Sequence, residues 1–345
     1  MIFPKIVNKE KINMKKILTL ALAALMLLSA LSLTACGKAE ELKLGMGVYA
    51  YMSKATDADG DTNGEGEVVA TAAAVLVDAS GKILKCVIDT ADNKVAYTSA
   101  GEAVAAGEFK TKYEQGDAYG MKAYAGSAKE WYEQADAFAA LTVGKTVDEV
   151  KALVADGGKG TDAVISAGCT ISVTDFAMAV EKAVANAVDS SATKDDALQI
   201  GVVTAQTLKN ASEEANGANE VVTTFVAAAV KEGKVTAQTT DVLDVTFTFD
   251  EKGVSTVDTA AALTTKKEAG ANYGMASYGA DLNGDGTVKE WYEQADAFNT
   301  ACVGKTSAEI VALAVDTGYG VESLQTAGCT INVSDMVKAA VKAAK

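Results

Sequence analysis

The chain has 345 residues, is 49% hydrophobic and carries a net charge of −15, so it can build two ordinary cores and presents an acidic surface that disfavours nucleic acid. It has no His, every one of its 31 basic residues is Lys, and its one Pro is Pro4. These absences exclude imidazole zinc sites, Ser-His-Asp and Cys-His catalysis, and any guanidinium clamp on phosphate or carboxylate.

Residues 1–35 carry five lysines against one glutamate. Met14-Lys15-Lys16 opens a basic region, Ile17 to Leu31 is apolar, and Leu33-Thr34-Ala35-Cys36 follows. The apolar run is short for a membrane span. The pattern resembles a bacterial lipoprotein signal, with cleavage before Cys36 and lipid on its thiol. It implies a chain held on the cell membrane through Cys36 and facing the extracytoplasmic side. Met14 is the expected start, with residues 1–13 an upstream extension and 36–41 a tether.

Beyond Cys36 the chain repeats itself. KEWYEQADAF stands at 129–138 and again at 289–298, VGKT at 143–146 and 303–306, and AGCTI at 167–171 and 327–331. Each pair shares one offset, that of 289 from 129. A spacing this long suits a whole domain, so the expectation is a tandem duplication: repeat 1 over 42–189, a linker over 190–196, repeat 2 over 197–345.

Each repeat opens on a short strand, 42–47 and 198–203. A β-branched hairpin follows: 68–77, a turn at 78–82 and a return ending near Ile88, matched by 221–230 and its return from Lys234. The stretch at 68–77 is Ala-rich enough to pass for a helix, but the turn decides for a strand. The second half of each repeat reads as helical. Trp131, Ala135, Phe138 and Leu141 or Thr142 fall on one helical face, which reads as core rather than a stacking platform. Thr146-x-x-Glu149 and Thr306-x-x-Glu309 are capping boxes. A third helix is expected after AGCT, with N-caps at Ser172-Val173-Thr174 and Asn332-Val333-Ser334. Each domain is therefore α+β, antiparallel sheet first and helices after.

VGKT lacks the glycine a phosphate loop needs; Ala139 and Asn299 stand there. Asp281, Asn283 and Asp285 match the first oxygens of a calcium loop, but Tyr292 holds the twelfth place and Lys289 the ninth, which argues against calcium. Cys169 and Cys329 are repeat equivalents while Cys86 and Cys302 are not, so buried apolar thiols are expected rather than disulfides.

The motif Gly168-Cys169-Thr170 and its mate Gly328-Cys329-Thr330, each followed by Ile and a helix, together with the preceding hairpin, resembles the FMN-binding domain family. In that family a Ser-Gly-Ala-Thr motif carries FMN as a phosphoester on its Thr. Here Ala167 and Ala327 stand for the family Ser, and Cys169 and Cys329 for its Ala. The resemblance implies covalent FMN on Thr170 and Thr330, with Gly168 and Gly328 as the motif glycines, and electron transfer to a redox partner in the envelope. It also implies hydroxyls near the N–H groups of Thr174 and Asp175, and a ring slot by Tyr119 and Met121 or Tyr273 and Met275. The bland alternative is a strand, Cys-Thr-Ile, feeding a helix in a non-catalytic surface lipoprotein that binds a small molecule or an envelope protein.

Overall fold

A computed structural model describes residues 40–278 and 288–345. Cys36 and the signal segment lie outside the described residues, as do Asp281, Asn283 and Asp285. Among the described residues no helix is long and apolar enough to cross a membrane.

The fold is α+β, with antiparallel sheets and helices. In the first half, β1 (Lys43–Thr56), β2 (Gly64–Val77) and β3 (Ile83–Tyr97) form a meander, extended by the short β4 (Ala103–Val104) beside β3 and β5 (Val188–Asp189) beside β1. In the second half, β6 (Ala197–Lys209), β7 (Gly217–Lys231) and β8 (Lys234–Phe249) form a second, three-stranded meander. The strands run well past the expected ends near Gly47 and Ile88. The sequence becomes more polar there, because the extensions carry Thr, Asp, Asn and Lys. The β7–β8 turn is Glu232-Gly233, both at positive φ (52° and 74°), which matches the twist of the strands it joins.

The central strands β2 and β7 read as continuous apolar runs because both their faces are covered. Ala70, Ala72, Ala74 and Leu76 face inward with Val221, Phe225, Ala227 and Ala229, so the two sheets pack face to face in one core. Ala73, Val75 and Val77 face outward onto the helices of the first half. Val226, Ala228 and Val230 do the same in the second. The order of layers is helices, sheet, sheet, helices, with β3 lying over β6 and β1 over β8.

The outer helices lie very close to the sheets. Gly47 of β1 faces the Thr174–Ala185 helix, and a Cβ there would overlap the Ala183 nitrogen. Gly201 of β6 stands likewise against the Ala339 carbonyl in the Ser334–Ala343 helix. Two ion pairs cross between halves with exchanged roles. Lys182 pairs with Glu268 at 2.5 Å, and Lys342 pairs with Glu114 at 2.5 Å.

The Trp131–Thr142 and Trp291–Cys302 helices form where the repeated decapeptide stands, and both tryptophans are core. On the first, Thr142 is buried rather than Leu141. The capping boxes at Thr146 and Thr306 are present. VGKT is structural. Gly144 N–H donates to Ile83 O (2.7 Å) and Lys145 O accepts from Ile83 N–H (3.0 Å), with the same distances at Gly304, Lys305 and Val235. Those groups stitch a loop to a strand and cannot wrap a phosphate.

Candidate functional site

The AGCT segments are not strands. Short helices, Asp162–Ala167 and Glu322–Thr326, precede them. Gly168 follows its helix at φ 98° and Gly328 at φ 96°, a left-handed conformation that glycine adopts without strain. The alternation expected for a strand is absent because Val164 and Leu324 sit in the core one helical turn before Cys169 and Cys329. The long helices then start at Thr174 and Ser334. Ser172 does not cap the first of them; its hydroxyl donates to Gly158 O (3.1 Å). Asn332 Oδ1 accepts from Ser334 N–H (2.9 Å), but the cap position of the second helix is Val333, as Val173 is of the first.

Thr170 is exposed and Thr330 half-buried. Neither hydroxyl points to the following helix start. The Thr170 N–H (2.8 Å) and Oγ1 hydroxyl (3.1 Å) both donate to Gln134 Oε1, and Thr330 makes the same pair, at the same distances, to Gln294 Oε1. Gln134 is fully buried, and its amide donates to Lys129 O (3.2 Å) and Ser127 Oγ (3.1 Å), with Met121 Sδ at 3.8 Å. Gln294 donates to Lys289 O (3.0 Å) and approaches Met275 Sδ at 3.3 Å. A glutamine on the repeated helix thus clamps each motif to the loop before that helix. The Lys129 and Lys289 side chains lie over Gly168 and Gly328, donating to Ala167 O (3.2 Å) and Ala327 O (3.3 Å).

The expected ring slot is occupied by the chain itself. Tyr119 and Tyr273 lie under the ammonium groups of Lys112 (5.2 Å) and Lys266 (5.1 Å). Those lysines pair with Asp92 (3.2 Å) and Asp244 (3.7 Å). Met121 and Met275 contact the glutamine amides, and their N–H groups donate to the buried Glu130 (2.8 Å) and Glu290 (2.9 Å). An FMN ester on Thr170 or Thr330 would remove the hydroxyl donor from the glutamine and set a phosphate against its carbonyl oxygen. Neither motif, as folded, fits that group.

Sequence reading missed the most perturbed acids. Asp89 lies midway along β3 and Asp241 midway along β8. Asp89 Oδ1 accepts from Thr90 N–H (2.7 Å) and Tyr113 N–H (3.1 Å). Asp241 accepts from Val242 N–H (2.8 Å), Lys267 N–H (3.0 Å) and the Thr265 hydroxyl (2.7 Å). Burial pushes both carboxyls up to about 6, against the pull of these hydrogen bonds. The sequence holds a partial signal: Thr-Lys-x-Glu occurs at 111–114 and again at 265–268, each downstream of an Asp, Asp89 and Asp241, whose burial the sequence does not display. Among the described residues the four thiols are all held protonated at neutral pH. Burial pushes Cys86 and Cys302 up to about 12, and Cys169 and Cys329 up to about 11.

Two clefts open where one half meets the other. The first, about 340 Å³, lies between β3 and the start of β6 and is lined by Ile88, Asp89, Tyr113, Asp136, Leu198 and Ile200 among others. The second, about 350 Å³, lies between β8 and the start of β1, beside Lys267, Asp296, Leu44 and Val188. Compared with known proteins, the chain matches no family profile, no curated protein and no solved structure.

Proposed function

We propose that the chain is a membrane-anchored, extracytoplasmic lipoprotein, lipidated on Cys36, that works as a non-catalytic binding protein. The observation that carries the non-catalytic reading is the glutamine clamp. The hydroxyls that would have to carry FMN are spent, in the same geometry in both halves, on holding the motif to the repeated helix. Thiols pushed far above neutral pH and the absence of His support the same reading. The anchor rests on the basic, apolar and Cys36 pattern of residues 14–36. The paired clefts supply places for a ligand.

Intact-mass analysis of protein from a host with a flavin transferase tests this. The expected result is a diacylglycerol-bearing Cys36 and unmodified Thr170 and Thr330. An FMN-sized adduct on either threonine would restore the electron-transfer reading. Recovery of unlipidated wild-type protein in the cytosol would remove the anchor.

A further inference from the structure

The two clefts are built from equivalent parts and are of similar size, yet in the second the chain supplies a lysine beside an aspartate and a paired strand edge, and in the first it does not. In the second, Lys267 projects between Thr239 and Asp296. Its Nζ donates to Thr239 Oγ1 at 2.9 Å and stands 3.5 Å from Asp296 Oδ1. In the first, the place of Lys267 is taken by Tyr113, that of Thr239 by Val87, and that of Asp296 by Asp136. Among the described residues the hydrogen bond to the Asp136 carboxylate comes from the Tyr113 phenol, at 3.3 Å, and no lysine lines that cleft.

The strand edges differ in the same way. In the second cleft the outer edge of β1 is paired by β5, with Lys43 opposite Asp189 and Leu44 opposite Val188. The equivalent edge of β6, at Ala197 and Leu198, pairs with no strand among the described residues. The first cleft therefore lacks two things that the chain supplies to the second: an ammonium beside an aspartate, and an extended segment along a strand edge. Its wall of Ile88, Leu198 and Ile200 is apolar, and its charged groups, Asp89 and Asp136, are both acidic.

We infer that the cleft between β3 and β6 binds a short extended peptide bearing a lysine, with the peptide backbone added to the free edge of β6 and the lysine ammonium at Asp136. This rests on the binding-protein reading above. A free strand edge offers N–H and C=O groups to an extended chain, and an adjoining pocket selects its side chain. The volume holds about two or three residues, within the common range for ligand pockets. The net charge of −15 attracts a cationic peptide over distance. A lysine stem would lie along the apolar wall with its head at the carboxylate.

The test is calorimetric titration of the full extracytoplasmic chain with Ala-Lys-Ala blocked at both ends. The expected result is saturable binding at one site. Acetylation of the lysine ammonium, or N-methylation of the peptide backbone, should each weaken it about tenfold or more. n-Butylamine, which has the ammonium without the backbone, should bind at least about tenfold more weakly than the peptide. Asp136→Asn should weaken the peptide by a similar factor. Tyr113→Lys, which copies the lysine that stands beside Asp296 in the second cleft, should abolish binding. A lysine already sits at the equivalent place in the other half, so this variant is expected to fold, and its melting curve checks that. No binding by the blocked peptide, equal binding of its acetylated form, or equal binding of n-butylamine would each overturn the inference. Because the acetylated, methylated and amine arms use the unmutated protein, an unstable variant does not blunt the test. Loss of peptide binding leaves the Cys36 and FMN measurements untouched, so the two readings fail separately.

Discussion

Gln134 accepts twice from Thr170 and spends its amide on Lys129 and Ser127, all while fully buried. Removing the glutamine strands several of these groups at once, whereas removing only the threonine hydroxyl leaves the Thr170 N–H in place. Gln134→Ala should therefore cost about 2–3 kcal/mol and Thr170→Val about 1 kcal/mol. Urea denaturation measures both, and a neutral Gln134→Ala would show that the clamp is not structural. Asp89 and Asp241 each contribute a response to pH of definite sign. Their folded carboxyls titrate near 6, against 3.8 when exposed, so between those values the folded state holds more protons than the unfolded chain. Their contribution to stability then falls as pH rises from about 4 to 6, with the loss complete above the folded value. Glu149 and Glu309, held low by hydrogen bonds from Thr146 and Thr306, act in the opposite sense, but they are exposed and weaken only as pH drops toward their own titration. The urea midpoint should accordingly be higher at pH 5 than at pH 7. The double variant Asp89→Asn, Asp241→Asn should flatten that slope, since Asn keeps an acceptor for the Tyr113 and Lys267 N–H groups. An unchanged slope in the double variant would assign the pH response to other groups.

At the scale of elements, the sequence spoke where local rules are strong. The decapeptide helices, the capping boxes and the antiparallel hairpins were legible because each carries its period or its cap within a few residues. The Cys-Thr-Ile strand was misread because a five- or six-residue helix such as Glu322–Thr326 is too short to display a period, and its glycine terminator looks like a turn between strands. Strand lengths were underread because β-propensity fades where Thr, Asp and Asn begin, although sheet pairing and the second sheet hold those residues in place. The paired aspartates and glutamines of the site escaped notice because burial, which gives them their meaning, is a tertiary property. Glycine at strand positions 47 and 201 was equally mute in sequence. Its role is the close seat of a helix on a strand, where any side chain meets backbone. Gly201→Val should cost about 3 kcal/mol or more, because the overlap is with the Ala339 carbonyl and not with a movable side chain. Gly233→Asn, at an exposed turn with open space around it, is the control and should change the thermal midpoint little. Similar losses at both positions would contradict the close-seat account.

At the scale of the molecule, the two halves exchange equivalent contacts, as the Lys182–Glu268 and Lys342–Glu114 pairs show, but their inner faces are not alike. Where the second half presents Phe225, Leu243 and Phe247, the first presents Ala72, Ala91 and Val95 at the matching strand positions. Gly66 lies against the Phe247 ring, with no room for a Cβ. Large side chains of one sheet thus fill the relief left by small ones of the other. A half on its own exposes this apolar face, and exposed sheet faces of that size associate. Two copies of the first half would leave voids between their alanines, and two copies of the second would set phenylalanine against phenylalanine. Separately produced halves, 42–193 and 194–345, should therefore recombine on mixing into a one-to-one complex in preference to either homodimer. Light scattering after size exclusion reads the stoichiometry, and the return of a cooperative melt reads the packing. Phe225→Ala in the second half should weaken that complex by about 3–5 kcal/mol, the cost of emptying a fully buried aromatic site. Homodimers as stable as the mixed pair would mean that the complementarity between large and small residues does not govern the seam.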